Sequence, residues 1–174
     1  ILWGLLCPSR AMVCEYNSRM DKDEIQPEIE RFGRLYVASS HVSRAVMRSQ
    51  SRDELLREVV RVLVDVGRFA AACIARENPE THELTPVACS GAGTDYLGGI
   101  GVFADESPLG QGPSGTACRQ GKPYICNDFL NDPRTLPWRE VAHAYGWRAS
   151  AAIPVSPGGI RLGVLSVYAL EKDA

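Results

Sequence analysis

The residues of this chain with the most chemical reach are six cysteines, three histidines and a run of glycines. The cysteines stand at positions 7, 14, 73, 89, 118 and 126. No two are spaced Cys-x-x-Cys, and no histidine lies at the separation of a zinc finger. Cys73 sits inside one apolar run and Cys89 closes another. Reduced, buried thiols in a cytoplasmic protein are the expectation. Nucleophilic catalysis needs a Ser, Cys or Lys beside a positioned base. His41, His82 and His143 fall on a helix face, in a hairpin turn and on a second helix, and none has a nucleophile beside it in sequence. Gly110-x-Gly112-x-x-Gly115 reproduces the dinucleotide fingerprint. That fingerprint works through backbone amides placed directly after a strand. Here Pro113 removes one amide, and a glycine-rich loop precedes it. A tight turn into a short helix accounts for the glycines, so no nucleotide is expected on them.

These residues need a scaffold. The 174 residues are 45% hydrophobic, enough for one domain with a real core. The formal net charge is -2 with no basic excess, so nucleic acid is not an expected partner. The opening Ile1–Leu6 is far short of the about 20 apolar residues that span a bilayer. It also lacks a basic leader and a cleavage site, so no signal peptide and no membrane contact are expected. Residues 1–24 read as an arm without assigned structure. Because residue 1 is Ile, the expectation is a piece of a longer protein or a start at Met20.

Residues 26–49 read as a helix, with Ile29, Phe32, Leu35, Val42 and Val46 along one narrow stripe. Such a helix either pairs with its copy or lies on a sheet. Ser51-Arg52-Asp53-Glu54 has the capping-box pattern and opens a second helix carrying Leu55, Leu56, Val59, Val60, Leu63 and Val66. Gly67 is placed to stop it in a left-handed conformation. Phe69–Ala75 is apolar on both faces and reads as a central strand; Glu83–Ser90 reads as its hairpin partner. Residues 91–115 hold eight of the sixteen glycines, the composition of a binding loop or lid. A helical turn over 114–120 stops at Gly121. A short strand follows at 123–126, then a helix over 136–145 ending at Gly146. Strands at 149–155 and 162–170 flank a Pro157-Gly158-Gly159 turn. Two hairpins with helices beside them predict an α+β domain around a mostly antiparallel sheet.

Four stretches in order then carry a family resemblance. They are Gly110–Ala117 with Arg119–Pro123, Asn127-Asp128 with Asp132-Pro133, Gly146–Val155, and Leu162–Tyr168. Together they resemble the GAF family of bacterial sensory domains, from about Leu35 to Ala169. The resemblance implies a profilin-like central antiparallel sheet of five or six strands over residues 25–174, with helices on both faces. It implies that the family's last helix is cut off by the end of this chain. It also implies a pocket under the glycine-rich loop, dimerisation through terminal helices, and a place in a signalling protein beside an output domain.

On that resemblance the chain is expected to be a regulatory domain without catalytic activity, binding an unidentified small molecule and forming a homodimer through its N-terminal helices. The cofactor is unknown. Cys73, Tyr96, Tyr124, Cys126, Phe129, Trp138 and Tyr145 are the candidate lining residues, on the reasoning that small-molecule sites use aromatic walls with a few polar tips. Simple core packing is the plainer account of each. A ligand-free dimerisation or docking module is the alternative. One branch of the family reduces free methionine sulfoxide with cysteines; Cys89, Cys118 and Cys126 are the candidates, but the sequence around them does not resemble that branch. The bilin-attachment places hold Pro137 and Trp138 rather than a Cys-His pair. His143 is the best placed residue for a haem ligand, although a lone helical His is most often ordinary surface. The residue set of cyclic-nucleotide-binding relatives is not evident, and Asp128 and Asp132 read as turn caps.

Overall fold

The computed structural model describes residues 22–172 apart from Gly98 and Ile100. The expected arm lies outside the described residues, with Cys7 and Cys14, except for its last three residues, which open the first helix. That helix, α1, spans Lys22–Arg48. From residue 26 onward it is buried only at Ala38 and Ala45; Ile29, Phe32, Tyr36, Val46 and Met47 are exposed. Helix α2 follows at Arg52–Asp65. Its cap forms as the residue types dictate: Ser51 Oγ accepts the Glu54 N–H at 3.2 Å. The Glu54 carboxylate reaches back one residue further than the simple box, to the Gln50 N–H at 2.9 Å. Both bonds satisfy otherwise orphaned donors near the helix start.

The expected stop at Gly67 is corrected by one residue. Arg68, not Gly67, takes the left-handed conformation at φ 63°. Gly67 is required for space, since a Cβ there would stand 2.5 Å from the Leu63 carbonyl oxygen.

Five strands follow: β1 Ala71–Glu77, β2 Leu84–Gly91, β3 Tyr124–Cys126, β4 Ala149–Val155 and β5 Gly163–Ala169. They form one sheet in the order β2-β1-β5-β4-β3, antiparallel throughout. Beside it stand the short helix α3 (Thr94–Leu97), α4 (Pro113–Gln120) and α5 (Arg139–Tyr145). Gly121 and Gly146 end α4 and α5 at φ 65° and 73°, in the left-handed region where glycine carries no Cβ penalty. The helix expected over 136–145 is α-helical only from Arg139. A 3₁₀ segment, Pro133–Trp138, precedes it, capped by Asp132 and holding Pro137 inside. Pro137 has no N–H to give the preceding turn, which fits the tighter winding there.

The sheet's alternation divides the core. On one side α2 buries Val60 against Ala72, Ile74, Ala88 and Val167. On the other lie two clusters. One holds Ala71, Phe129, Trp138, Val141, Trp147 and Tyr168; the other holds Leu84, Ala117, Cys118, Ala152 and Val164. The segment between β2 and α4 roofs this second side. Arg119 ties it down, donating from its guanidinium to the carbonyls of Asp105 and of Gly110, the latter at 2.9 Å. Among the described residues no helix is long and apolar enough to cross a membrane.

The thiol expectation is corrected at two positions. Cys73 and Cys89 are directly opposite across β1 and β2, and they are joined in a disulfide. The register that pairs them includes a bulge between Ile74 and Ala75. Cys118 and Cys126 are free and buried.

Candidate functional site

Between the sheet and its roof lies a cavity of about 30 Å³. Its walls come from four places. The sheet contributes Ser150 and Ala152 from β4 and Ser166 and Tyr168 from β5, alternate residues of each strand and so on one face. The start of α4 contributes Gly112, Pro113 and Ser114. The crossover after β3 contributes Phe129, Trp138 and Val141, and Trp147 follows α5. A second lobe of about 30 Å³ shares Val102, Ser114, Ser166 and Tyr168 with the first and is lined further by Cys73, Leu84 and Pro86. The hydroxyls of Ser114 and Ser166 hydrogen-bond to each other at 2.8 Å on the wall common to both lobes.

The aromatic wall is ordered by stacking. Trp147 lies on Tyr168 with ring centroids 4.2 Å apart and planes 23° apart. Phe129 meets the edge of Tyr168 at 6.1 Å. Thr135, fully buried, donates its hydroxyl to the Phe129 carbonyl and fixes the crossover that carries Phe129 and Trp138. Burial pushes the Tyr168 phenol up to about 12, so it stays protonated.

Trp138, Trp147 and Ser150 each line the first lobe and each carry a buried side-chain atom with no hydrogen-bond partner among the described residues: Nε1, Nε1 and Oγ. A buried donor left unpaired costs about 1–3 kcal/mol. Among the described residues no Asp, Glu, Lys, Arg or His lines either lobe. The arrangement is therefore a largely apolar, aromatic enclosure with serine and tyrosine hydroxyls on its walls.

The sequence candidates separate. Phe129 and Trp138 stand in the wall of the first lobe and Cys73 in that of the second. The other four lie outside both lobes. Tyr96 is exposed on α3. Tyr145 stacks on the far side of Trp147 at 5.7 Å and remains partly exposed. Tyr124 turns its hydroxyl outward, donating to Asp132 at 3.2 Å. Cys126 is buried in the core and its thiol donates to Asp132 at 3.6 Å. Burial, with Asp132 beside it, pushes the Cys126 thiol up to about 11. Burial and the Glu77 carboxylate push Cys118 up to about 12. Neither thiol is poised as a thiolate near neutral pH. His143, considered for haem, lies on the exposed face of α5. Asp132 is a cap, as expected, accepting the Arg134 N–H at 2.8 Å.

The wall residues not singled out from sequence are chiefly Trp147, Ser150, Ser166 and Tyr168. Their signal was present in part: the i, i+2 pairs Ser150/Ala152 and Ser166/Tyr168 each share a face. Only the sheet order says that these two faces adjoin.

A sequence profile of the GAF domain matches residues 49–174. The chain belongs to the GAF domain family. No curated protein matches it in sequence. Among solved structures, this GAF domain is similar to that of A. aeolicus nlh2 in an inactive state, at 17% identity and a TM-score of 0.63, covering 81% of this chain and 80% of that one. It is similar to the GAF domain of a phosphoenolpyruvate-protein phosphotransferase (ptsP) from Coxiella burnetii, at 18% identity and a TM-score of 0.64, covering 81% and 80%. It is also similar to a free methionine-R-sulfoxide reductase from Neisseria meningitidis in complex with its substrate, at 16% identity and a TM-score of 0.62, covering 82% and 77%. At these identities the likeness is one of fold.

That last structure corrects the expectation that the chain is not an enzyme. The expectation leaned on the family resemblance and on the lack of a nucleophile beside a base in sequence, and the same fold houses a reductase. Membership of the GAF family is thus no argument against catalysis.

Proposed function

We propose that this GAF domain is a regulatory sensory module that takes a small molecule into the cavity beneath its glycine-rich roof. The observation that carries the reading is an enclosed cavity between the sheet and its roof, walled by Phe129, Trp138, Trp147 and Tyr168. Aromatic walls with a few polar groups are what small-molecule sites use. Ligand occupancy would favour one arrangement of the roof by population shift.

A contiguous route leads outward from it. The Ala92 N–H, where the roof begins, donates to the Ala70 carbonyl at 3.0 Å. Ala70 adjoins the Gly67–Phe69 turn, which with Leu35 of α1 lines a surface depression. The exposed Ile29, Phe32 and Tyr36 recur at helical spacing on α1 and support pairing with a second copy or a neighbouring output domain.

A small-molecule library screened by thermal unfolding tests the reading, because a ligand raises the melting temperature by mass action. The expected result is at least one compound that stabilises the wild type and fails to stabilise Ser150→Ala. Uniform absence of stabilisation would leave a ligand-free docking module in its place. Turnover of free methionine-R-sulfoxide with a dithiol reductant, run in parallel, would replace it with the reductase reading.

A further inference from the structure

We propose that the Cys73–Cys89 disulfide is a thiol–disulfide exchange site through which a dithiol reductant loosens the edge strand that carries the roof. The inference does not require a ligand in the cavity.

The place of the disulfide in the sheet decides which sulfur a reductant reaches. Among the described residues, β2 pairs with β1 on one side and has only the single bridge of Glu83 to Phe103 besides. Cys73 lies inside, on β1, and is 6% exposed; Cys89, on β2, is half-buried. Exchange needs a thiolate to reach one sulfur from the side away from the other, so access decides the target. Beyond Cys73 stands β5, with Ser166 directly opposite it. Beyond Cys89 no strand intervenes. A thiolate of the dithiol therefore attacks Cys89 Sγ. The S–S bond breaks, and Cys73 leaves as a thiolate and takes up a proton. The second thiol of the reductant then attacks the reductant's own sulfur in the mixed disulfide and releases Cys89 as a thiol. Two electrons and two protons have passed from the dithiol to the protein, and the dithiol has become a disulfide.

The strand that is freed is the one from which the roof hangs. The chain leaves β2 for the roof at Ala92, whose N–H donates to the Ala70 carbonyl at 3.0 Å. The roof then returns to the other end of the same strand. The Leu84 N–H donates to the Val102 carbonyl at 2.7 Å, and the Ala104 N–H to the His82 carbonyl at 2.7 Å. Three things hold β2 in place: its ladder to β1, the packing of Ala88 with Val60 of α2, and the disulfide. The bulge between Ile74 and Ala75 disrupts that ladder just beyond the Cys73–Cys89 pair. The covalent clamp thus sits beside the weakest part of the hydrogen bonding. Once it is cut, the two sulfurs must move apart to van der Waals distance. Either β2 gives way, or the Cys73 thiol turns further into the second lobe, in whose wall it already stands.

Hydrogen exchange of the full chain tests the inference in three states: air-oxidised, treated with dithiothreitol without denaturant, and reoxidised with oxidised glutathione. Alkylation and peptide mass read the two cysteines. Dithiothreitol is expected to free Cys73 and Cys89 in the folded protein, and oxidised glutathione to rejoin them. In the reduced state the Leu84, Ala92 and Ala104 amides should exchange several-fold faster while those of β4 and β5 keep their protection. The double variant Cys73→Ala, Cys89→Ala should match the reduced protein with or without reductant, which separates the effect from Cys118 and Cys126. A bond that yields to dithiothreitol only in denaturant would overturn the exchange site. Reduction that leaves the three amides unchanged, or that strips protection from β4 and β5 as well, would overturn its link to the roof.

Discussion

Gly112→Ala is the smallest change that probes how the roof meets the wall. Gly112 has φ -64° and ψ 170°, an ordinary extended conformation, so alanine suffers no backbone strain there. The obstacle is the neighbouring ring. A Cβ on residue 112 would stand 2.6 Å from Trp138 Cη2, closer still to Cζ3, and 3.3 Å from Cε3. Carbon atoms pack at about 3.5–4.0 Å, so the indole must retreat by about an ångström. Trp138 is buried among Phe129, Val141, Ala142 and Trp147 and has little space to retreat into. Overpacking a core of this kind costs about 2 kcal/mol. For a chain of 174 residues that is a fall in Tm of about 4–8 °C. Thermal unfolding of wild type, Gly112→Ala, Trp138→Leu and the double variant measures it. Trp138→Leu loses burial by itself, but it removes the clash, so the double variant should be more stable than the sum of the two singles by about 1 kcal/mol or more. A Tm for Gly112→Ala within about 1 °C of wild type, or strict additivity, would refute the packing of α4 onto Trp138.

Three further outcomes follow from the structure. Reducing the Cys73–Cys89 disulfide, which closes a loop across 16 residues of sequence, should cost about 3 kcal/mol; unfolding with and without a reductant checks this, and identical curves would show that the bond does not form. The folded-state values of Cys126 and Cys118 are raised from an ordinary value near 9 to about 11 and about 12. Below pH 9 both states keep these protons; above it the unfolded chain releases them first, so stability should fall as pH climbs from 9 towards 12, and a urea midpoint flat across that window would contradict it. Glu77 is buried, takes an ion pair from Arg161, and faces His82 Nδ1 at 3.0 Å. Glu77→Ala should lose about 1–2 kcal/mol in urea titration, because the buried Cys118 thiol loses its acceptor while Arg161 and His82 reach solvent; no measurable loss would mean the cluster is not a structural lock.

Local chemistry was legible wherever one residue decided it. The Ser51 cap, the glycine stops at 121 and 146, the Asp132 cap and the Pro157-Gly158-Gly159 turn each express a backbone requirement that a single side chain meets or fails. Gly67 shows the limit of that logic. Its place after the helix was right, but space against Leu63 required it, and the left-handed residue is Arg68. The disulfide was not legible, because only the β1–β2 register, bulge included, sets Cys73 opposite Cys89. The cavity was half legible for a related reason. Phe129 and Trp138, both singled out for their residue type, lie on the crossover after β3. Trp147, Ser150, Ser166 and Tyr168 are brought together by the pairing of β4 with β5, a contact between segments that carry no mark of each other. Tyr124, Tyr145 and Cys126 have the residue types of a wall, but their side chains point to Asp132 or stack behind Trp147.

The central claim is that the cavity beneath the roof holds a ligand, and its indole N–H groups report on that directly. The chain has three tryptophans, so a ¹⁵N-labelled sample gives three indole resonances, of which Trp138 and Trp147 are assigned by Trp→Phe variants. During titration with the compounds that stabilise the protein in thermal unfolding, the account predicts that Trp138 and Trp147 shift together and saturably. Stabilising compounds that leave both resonances in place would contradict it.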